Sequence, residues 1–202
     1  MNRFKLTHAL LGLALLSASS ATLAHDKGDW LFRIGGMNVD PKSNNGEVVD
    51  VKSDSSITLT FSYLLTENWA IDVLAAYPFE HGINLKGGDR VAKTKHLPPT
   101  VSLQYHFLPQ ADFQPYVGLG LNYTNFFDEE TTGALEGADL SLDDSWGVAA
   151  QVGFDYMINE KWFWNVDVRW INIETDAKLD GVAVESVEID PIVWGINLGW
   201  TF

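Results

Sequence analysis

The feature that most constrains this chain is a period of two. Its last ten residues, VWGINLGWTF, put Trp194, Ile196, Leu198, Trp200 and Phe202 on one side and Val193, Gly195, Asn197, Gly199 and Thr201 on the other. Such alternation is a β-strand with two unlike faces. It recurs in eight segments, near 29–39, 56–64, 68–79, 96–107, 115–126, 145–157, 161–174 and 188–202. Each has the length of a strand that crosses a bilayer, about nine residues or more. In WFWNVDVRW, parity sorts Trp162, Trp164, Val166, Val168 and Trp170 from Phe163, Asn165, Asp167 and Arg169.

The links between segments alternate as well. Short turns (LTEN, LPQADFQ, INEK) follow the even segments, and longer acidic or glycine-bearing loops near 40–55, 80–95, 127–144 and 175–187 follow the odd ones. That pattern predicts neighbouring antiparallel strands in up-and-down order with every long loop at one end. The expected fold is all-β, an eight-stranded antiparallel transmembrane barrel forming a single domain over residues 25–202.

A soluble eight-stranded barrel of the lipocalin kind also alternates, but with its bulky face inward. The interior of eight strands is only wide enough for side chains. The parity carrying Gly118, Gly120, Gly147, Gly153, Gly195 and Gly199 fits that space, whereas the parity carrying all eight tryptophans would crowd it. Aromatics toward strand ends suit the girdles of a membrane barrel, so the bulky face is assigned to lipid.

At the N-terminus, Arg3 and Lys5 precede the apolar run ALLGLALL and a small-residue site ending at Ala24. Residues 1–24 read as a cleaved secretory signal peptide; its apolar run is too short to span a bilayer, and no second such run follows. The formal charge of −14 becomes two units more negative once Arg3 and Lys5 are removed, which argues against a nucleic-acid partner. With no cysteine in the chain, disulfides, thiolate catalysis and zinc-thiolate sites are excluded.

Several stretches carry a family resemblance: HLPPT (96–100), PYVGLGLNYTNFFDE (115–129), DLSLDDSWGVAAQVGFDYMIN (139–159), and Asp190-Pro191 followed by the aromatic C-terminus. With these the chain resembles the OmpW family of bacterial outer-membrane proteins, the OprG- and AlkL-like porins. The resemblance implies a Gram-negative outer-membrane location, periplasmic termini, extracellular long loops and a narrow apolar pocket near the outer end. It further implies passive uptake of small hydrophobic molecules, with sideways exit into the bilayer. Trp200 and Phe202 look like the signal read by the outer-membrane assembly machinery.

By parity, Arg33, Asp72, Asp155, Asp167 and Arg169 point into the lumen, with Gln104, Gln151 and His106. Opposite charges in so narrow a space should pair, either as a plug or as a polar core that holds the barrel's shape. Toward the long-loop end the inward parity turns apolar at Met37, Val39, Phe126, Ile171 and Ile173. Leu135, Leu140 and Leu142 of the third long loop stand ready to cover it, as a ligand site or as packing beneath loops. Pro98 and Pro99, beside Pro78, lack the N–H that a barrel ladder needs. They predict a lateral opening or, alternatively, a bulge that bends the rim.

No enzyme is expected, since His25, His81, His96 and His106 are scattered without motif geometry, His25 reading as a flexible terminus. Asp128-Glu129-Glu130 and Asp143-Asp144 read as solvated loop acids that at most share cations with lipopolysaccharide, and neither a metal nor a cofactor is expected. A structural or adhesive barrel that binds partners through its loops is the alternative to the channel. Transported compound and oligomeric state are not legible from the sequence.

Overall fold

The computed structural model describes residues 25–202, so the expected signal peptide lies outside the described residues. Eight strands close into a barrel: β1 (Trp30–Asp40), β3 (Asp54–Leu64), β4 (Trp69–Ala76), β7 (Thr100–His106), β8 (Phe113–Thr131), β10 (Ser145–Met157), β11 (Trp162–Ile171) and β14 (Ile192–Thr201). Each pairs antiparallel with its chain neighbour, and β14 pairs with β1 to seal the wall. The ends of the described chain meet at the short-turn end, where the amide of Trp30 bonds Phe202 O and that of Phe202 bonds Trp30 O.

Parity decides which way each residue faces. Along β14, Ile192, Trp194, Ile196 and Trp200 are exposed on the outside, while Val193, Asn197 and Thr201 are buried. All eight tryptophans are at least 40% exposed, the reverse of what a soluble barrel requires. Outward aromatic pairs gather at the strand ends. Trp30–Tyr63, Trp69–Tyr105 and Trp162–Trp200 ring the short-turn end, and Tyr123–Trp146 sits at the other. Two glycines mark where the lumen has no room. A Cβ on Gly199 would lie 2.1 Å from Phe163 Cε2, and one on Gly153 would lie 2.6 Å from the Tyr116 hydroxyl oxygen.

The long-loop end departs from the expected loops. Residues expected as the second loop, 80–95, form the hairpin β5 (Phe79–Leu85) and β6 (Arg90–Leu97), which continues the third and fourth strands beyond a break at residues 77–78 and 98–99. β6 also pairs with the upper half of β8, and β2 (Val49–Val51) lies on the far edge of β5. A separate sheet, β9 (Leu140–Leu142), β12 (Glu174–Leu179) and β13 (Val182–Glu188), covers the opposite side. The reason is physical: Phe79, His81, Ile83 and Leu85 keep the inward parity through the glycines and lysines that resemble a loop, so pairing continues.

Candidate functional site: a capped lumen with a side seam

Below the mouth the lumen is filled with charge. Arg33 Nη2 donates to Asp155 Oδ2 at 2.7 Å, and its Nη1 donates to Ser62 Oγ at 2.6 Å. Ser62 in turn donates to Asp72 Oδ1 at 2.6 Å. Arg169 Nε donates to Asp167 Oδ2 at 2.7 Å, and its Nη2 reaches Asp72 Oδ2 at 3.4 Å. Asn165 Nδ2 joins Asp155 to the Tyr116 hydroxyl, and Asn197 Nδ2 donates to Asn165 Oδ1 at 2.9 Å. All five charged side chains are at most 2% exposed, and the network ties together strands from every side of the barrel. Gln104, Gln151 and His106 are buried in the same lumen.

His25 is no loose end. Its ring packs edge-on against Phe163 at 5.0 Å, its Nε2 lies 3.6 Å from Asp155 Oδ2, and its backbone N–H donates to Pro109 O. The expected flexible terminus is instead a buried stopper at the short-turn end, held by Phe163, by the Pro109 carbonyl and by Thr201 Oγ1, 3.3 Å from its Nδ1. The loop acids are exposed, as expected, and also partnered: Asp128 with Lys95, Glu130 with Lys93, Asp143 with Lys178, and Asp144 with Tyr123 and Asn125.

Above the charges comes an apolar layer. Met37, Val39, Ile171 and Ile173 pack with Leu74, Phe79 and Val193, leaving only about 10 Å³ free. Higher still, a cavity of about 160 Å³ opens between the β5–β6 hairpin and the β9–β12–β13 sheet. Phe126, Leu140, Leu142 and Leu135 line it. The structure thus divides the seven candidate lining residues, four in the packed floor and three in the cavity wall. Sequence reasoning missed the rest of the wall, including Val49, Val51, Ile83 and Val187. Unbroken parity through 79–85 was the available signal.

Two histidines stand in that wall. His81 Nδ1 bonds the Lys52 carbonyl, so Nδ1 carries the proton. His96 stacks on His81 at 4.8 Å and on Phe79 at 5.5 Å. Burial pushes the His81 pKa below its ordinary value, and burial, with His81 alongside, pushes that of His96 well below. Both imidazoles are neutral at neutral pH.

Beside the apolar floor the wall has a seam. The β4–β7 ladder ends at the pair Leu74–Thr100, and the β5–β6 ladder starts at Phe79–His96. Between them, residues 75–78 and 97–99 form no ladder with each other. Toward β8 the gap is mended, since the Tyr123 N–H donates to Pro99 O and Asn122 Nδ2 donates to both Pro98 O and Pro99 O. The seam is therefore uneven, because Asn122 holds the Pro98 and Pro99 carbonyls on the β8 side only. Pro98 is buried against the floor, while Pro99 faces an outer groove with Ala75, Ala76, Leu97, Tyr123 and Asn125. Pro78 is half-buried at the start of β5.

Comparison with known proteins places this geometry. The outer membrane protein W of Vibrio cholerae is 44% identical over 213 residues, covering 96% of this chain and 98% of that protein. A more distant relative, the dibenzothiophene metabolism operon protein PahQ of Pseudomonas aeruginosa, is 28% identical over 93% of this chain and 95% of its own. The crystal structure of OprG from Pseudomonas aeruginosa superposes with a TM-score of 0.81 at 36% identity, covering 89% of this chain and 98% of that one. The bulky outer face is a membrane surface, and the barrel is a protein of the Gram-negative outer membrane. The family model matches residues 26–202, and the chain belongs to the OmpW family.

Proposed function

We propose that the barrel is a passive path for small hydrophobic molecules, which enter the apolar cavity from the extracellular side and leave sideways through the seam into the bilayer. The observation that carries this reading is the stacking of three layers: apolar cavity, apolar floor beside a parted ladder, and a closed ionic network beneath. The network blocks a straight aqueous route, so the seam is the low-cost direction for an apolar solute. Leaving water is worth about 25 cal/mol per Å² of apolar surface whether the solute enters the cavity or the acyl chains. The step from cavity to bilayer is therefore nearly level and needs no energy source. PahQ, named for a dibenzothiophene operon, lends support from a relative whose operon handles an apolar compound.

In this reading residues 1–24 are the removed leader, the termini lie in the periplasm, and lipopolysaccharide surrounds the outer rim. The assembly machinery reads the strand that ends in Trp200 and Phe202. The test is uptake by a deletion strain complemented with Ile83→Asp, which puts a carboxyl into the cavity wall above the membrane. Uptake of an apolar solute, compared at matched barrel levels, should fall several-fold. Unchanged uptake, with only surface adhesion lost on deletion, would favour the adhesive alternative.

A further inference from the structure

His96 is 2% exposed, and neither of its ring nitrogens has a partner among the described residues. A leucine would fill that place without the cost of two unsatisfied polar atoms. The arrangement around it suggests what the ring does. Phe79, His81 and His96 lie within 23° of parallel, with centroids 4.8 to 6.4 Å apart, and Phe126 leans on His96 at 5.8 Å. His81, His96 and Phe126 line the upper cavity, while His96 and Phe79 line the floor beside Pro98. A continuous aromatic track thus runs from cavity to seam, on the one wall that the two spaces share.

Resting on the uptake reading above, we infer that Phe79, His81 and His96 select flat aromatic solutes over aliphatic ones of equal size. Aligned rings reward another ring by offset or edge-to-face contact beyond the area buried, and a saturated ring gains only the area. A cavity of about 160 Å³ suits a single ring, since an apolar cavity of about 150 Å³ accepts benzene. Neutral imidazoles suit this role, because a charged pair would hold water that an apolar guest would have to strip away.

The experiment uses the full mature chain in lipid nanodiscs, with methyl NMR of Ile83 and Val187 reporting binding of toluene or methylcyclohexane, each corrected for partition into empty nanodiscs. Toluene should bind about two- to tenfold more tightly. In His81→Leu/His96→Leu the ratio should fall to near one while methylcyclohexane still binds. His96→Phe, which keeps a ring, should keep the preference. Equal binding of both solutes by the wild type overturns the selectivity and leaves the cavity reading intact, as does a preference that survives the double leucine variant. Binding of neither solute overturns both readings. Should the double variant fail to fold, the wild-type ratio and His96→Phe still decide.

Discussion

Residue by residue, the lumen is where the chain is least forgiving. Removing one member of a buried ion pair strands the other, a loss of about 3–5 kcal/mol, while replacing both with apolar groups is often neutral. Arg33→Met should therefore destabilise the barrel by about that much in urea unfolding. Arg33→Met combined with Asp155→Leu and Asp72→Asn should recover most of the loss. On the outer face, Val152 is 57% exposed near the middle of β10, and Val152→Arg should cost about 2–4 kcal/mol. Parity made the lumen charges legible, since Arg33 and Asp167 stand where alternation turns inward. His25 was illegible because its partner Asp155 is 130 positions away in the chain and no local pattern announces a terminus folding into a lumen.

At the scale of elements, the hairpin and the seam behave as one unit. His81 and His96 are neutral in the folded hairpin, and the groups that face them are the Lys52 carbonyl, Asp54 from β3 and Glu185 at the cavity rim. Their folded pKa values lie below the ordinary 6.5, so the unfolded hairpin binds protons first as pH falls. Their stabilising contribution is full above about 6.5 and is lost progressively below it. Corrected for the intrinsic exchange rate, the protection of the β5 and β6 amides should fall between pH 7 and 5 in the wild type and stay flat in His81→Leu/His96→Leu. The proline pair could be read as a broken ladder from sequence, because a missing N–H is a property of the residue. The mending by Asn122 could not, because it depends on which side chain lies across the gap.

For the whole molecule, closure of the β14–β1 joint completes the wall, and the last strand brings Trp200 onto Trp162 and Phe202. Phe202→Ser should lower the heat-modifiable folded fraction in the outer membrane without reducing export. The eight-strand architecture was legible because a period of two, repeated with alternating link lengths, has few other solutions. The cavity was only half legible, because its far wall comes from segments whose pairing is set by distant strands. Sideways passage is open to a direct test. A chain without native cysteines allows the seam to be locked cleanly: cysteines at Ala76 and Leu97, joined by a short reducible bis-thiol linker, span the groove. The measurement is the initial rate of toluene uptake by cells with the linker in place and after its reduction. Sideways passage predicts a fall to the rate of the deletion strain when locked and full recovery on reduction. Wild-type uptake through a quantitatively linked barrel would contradict it.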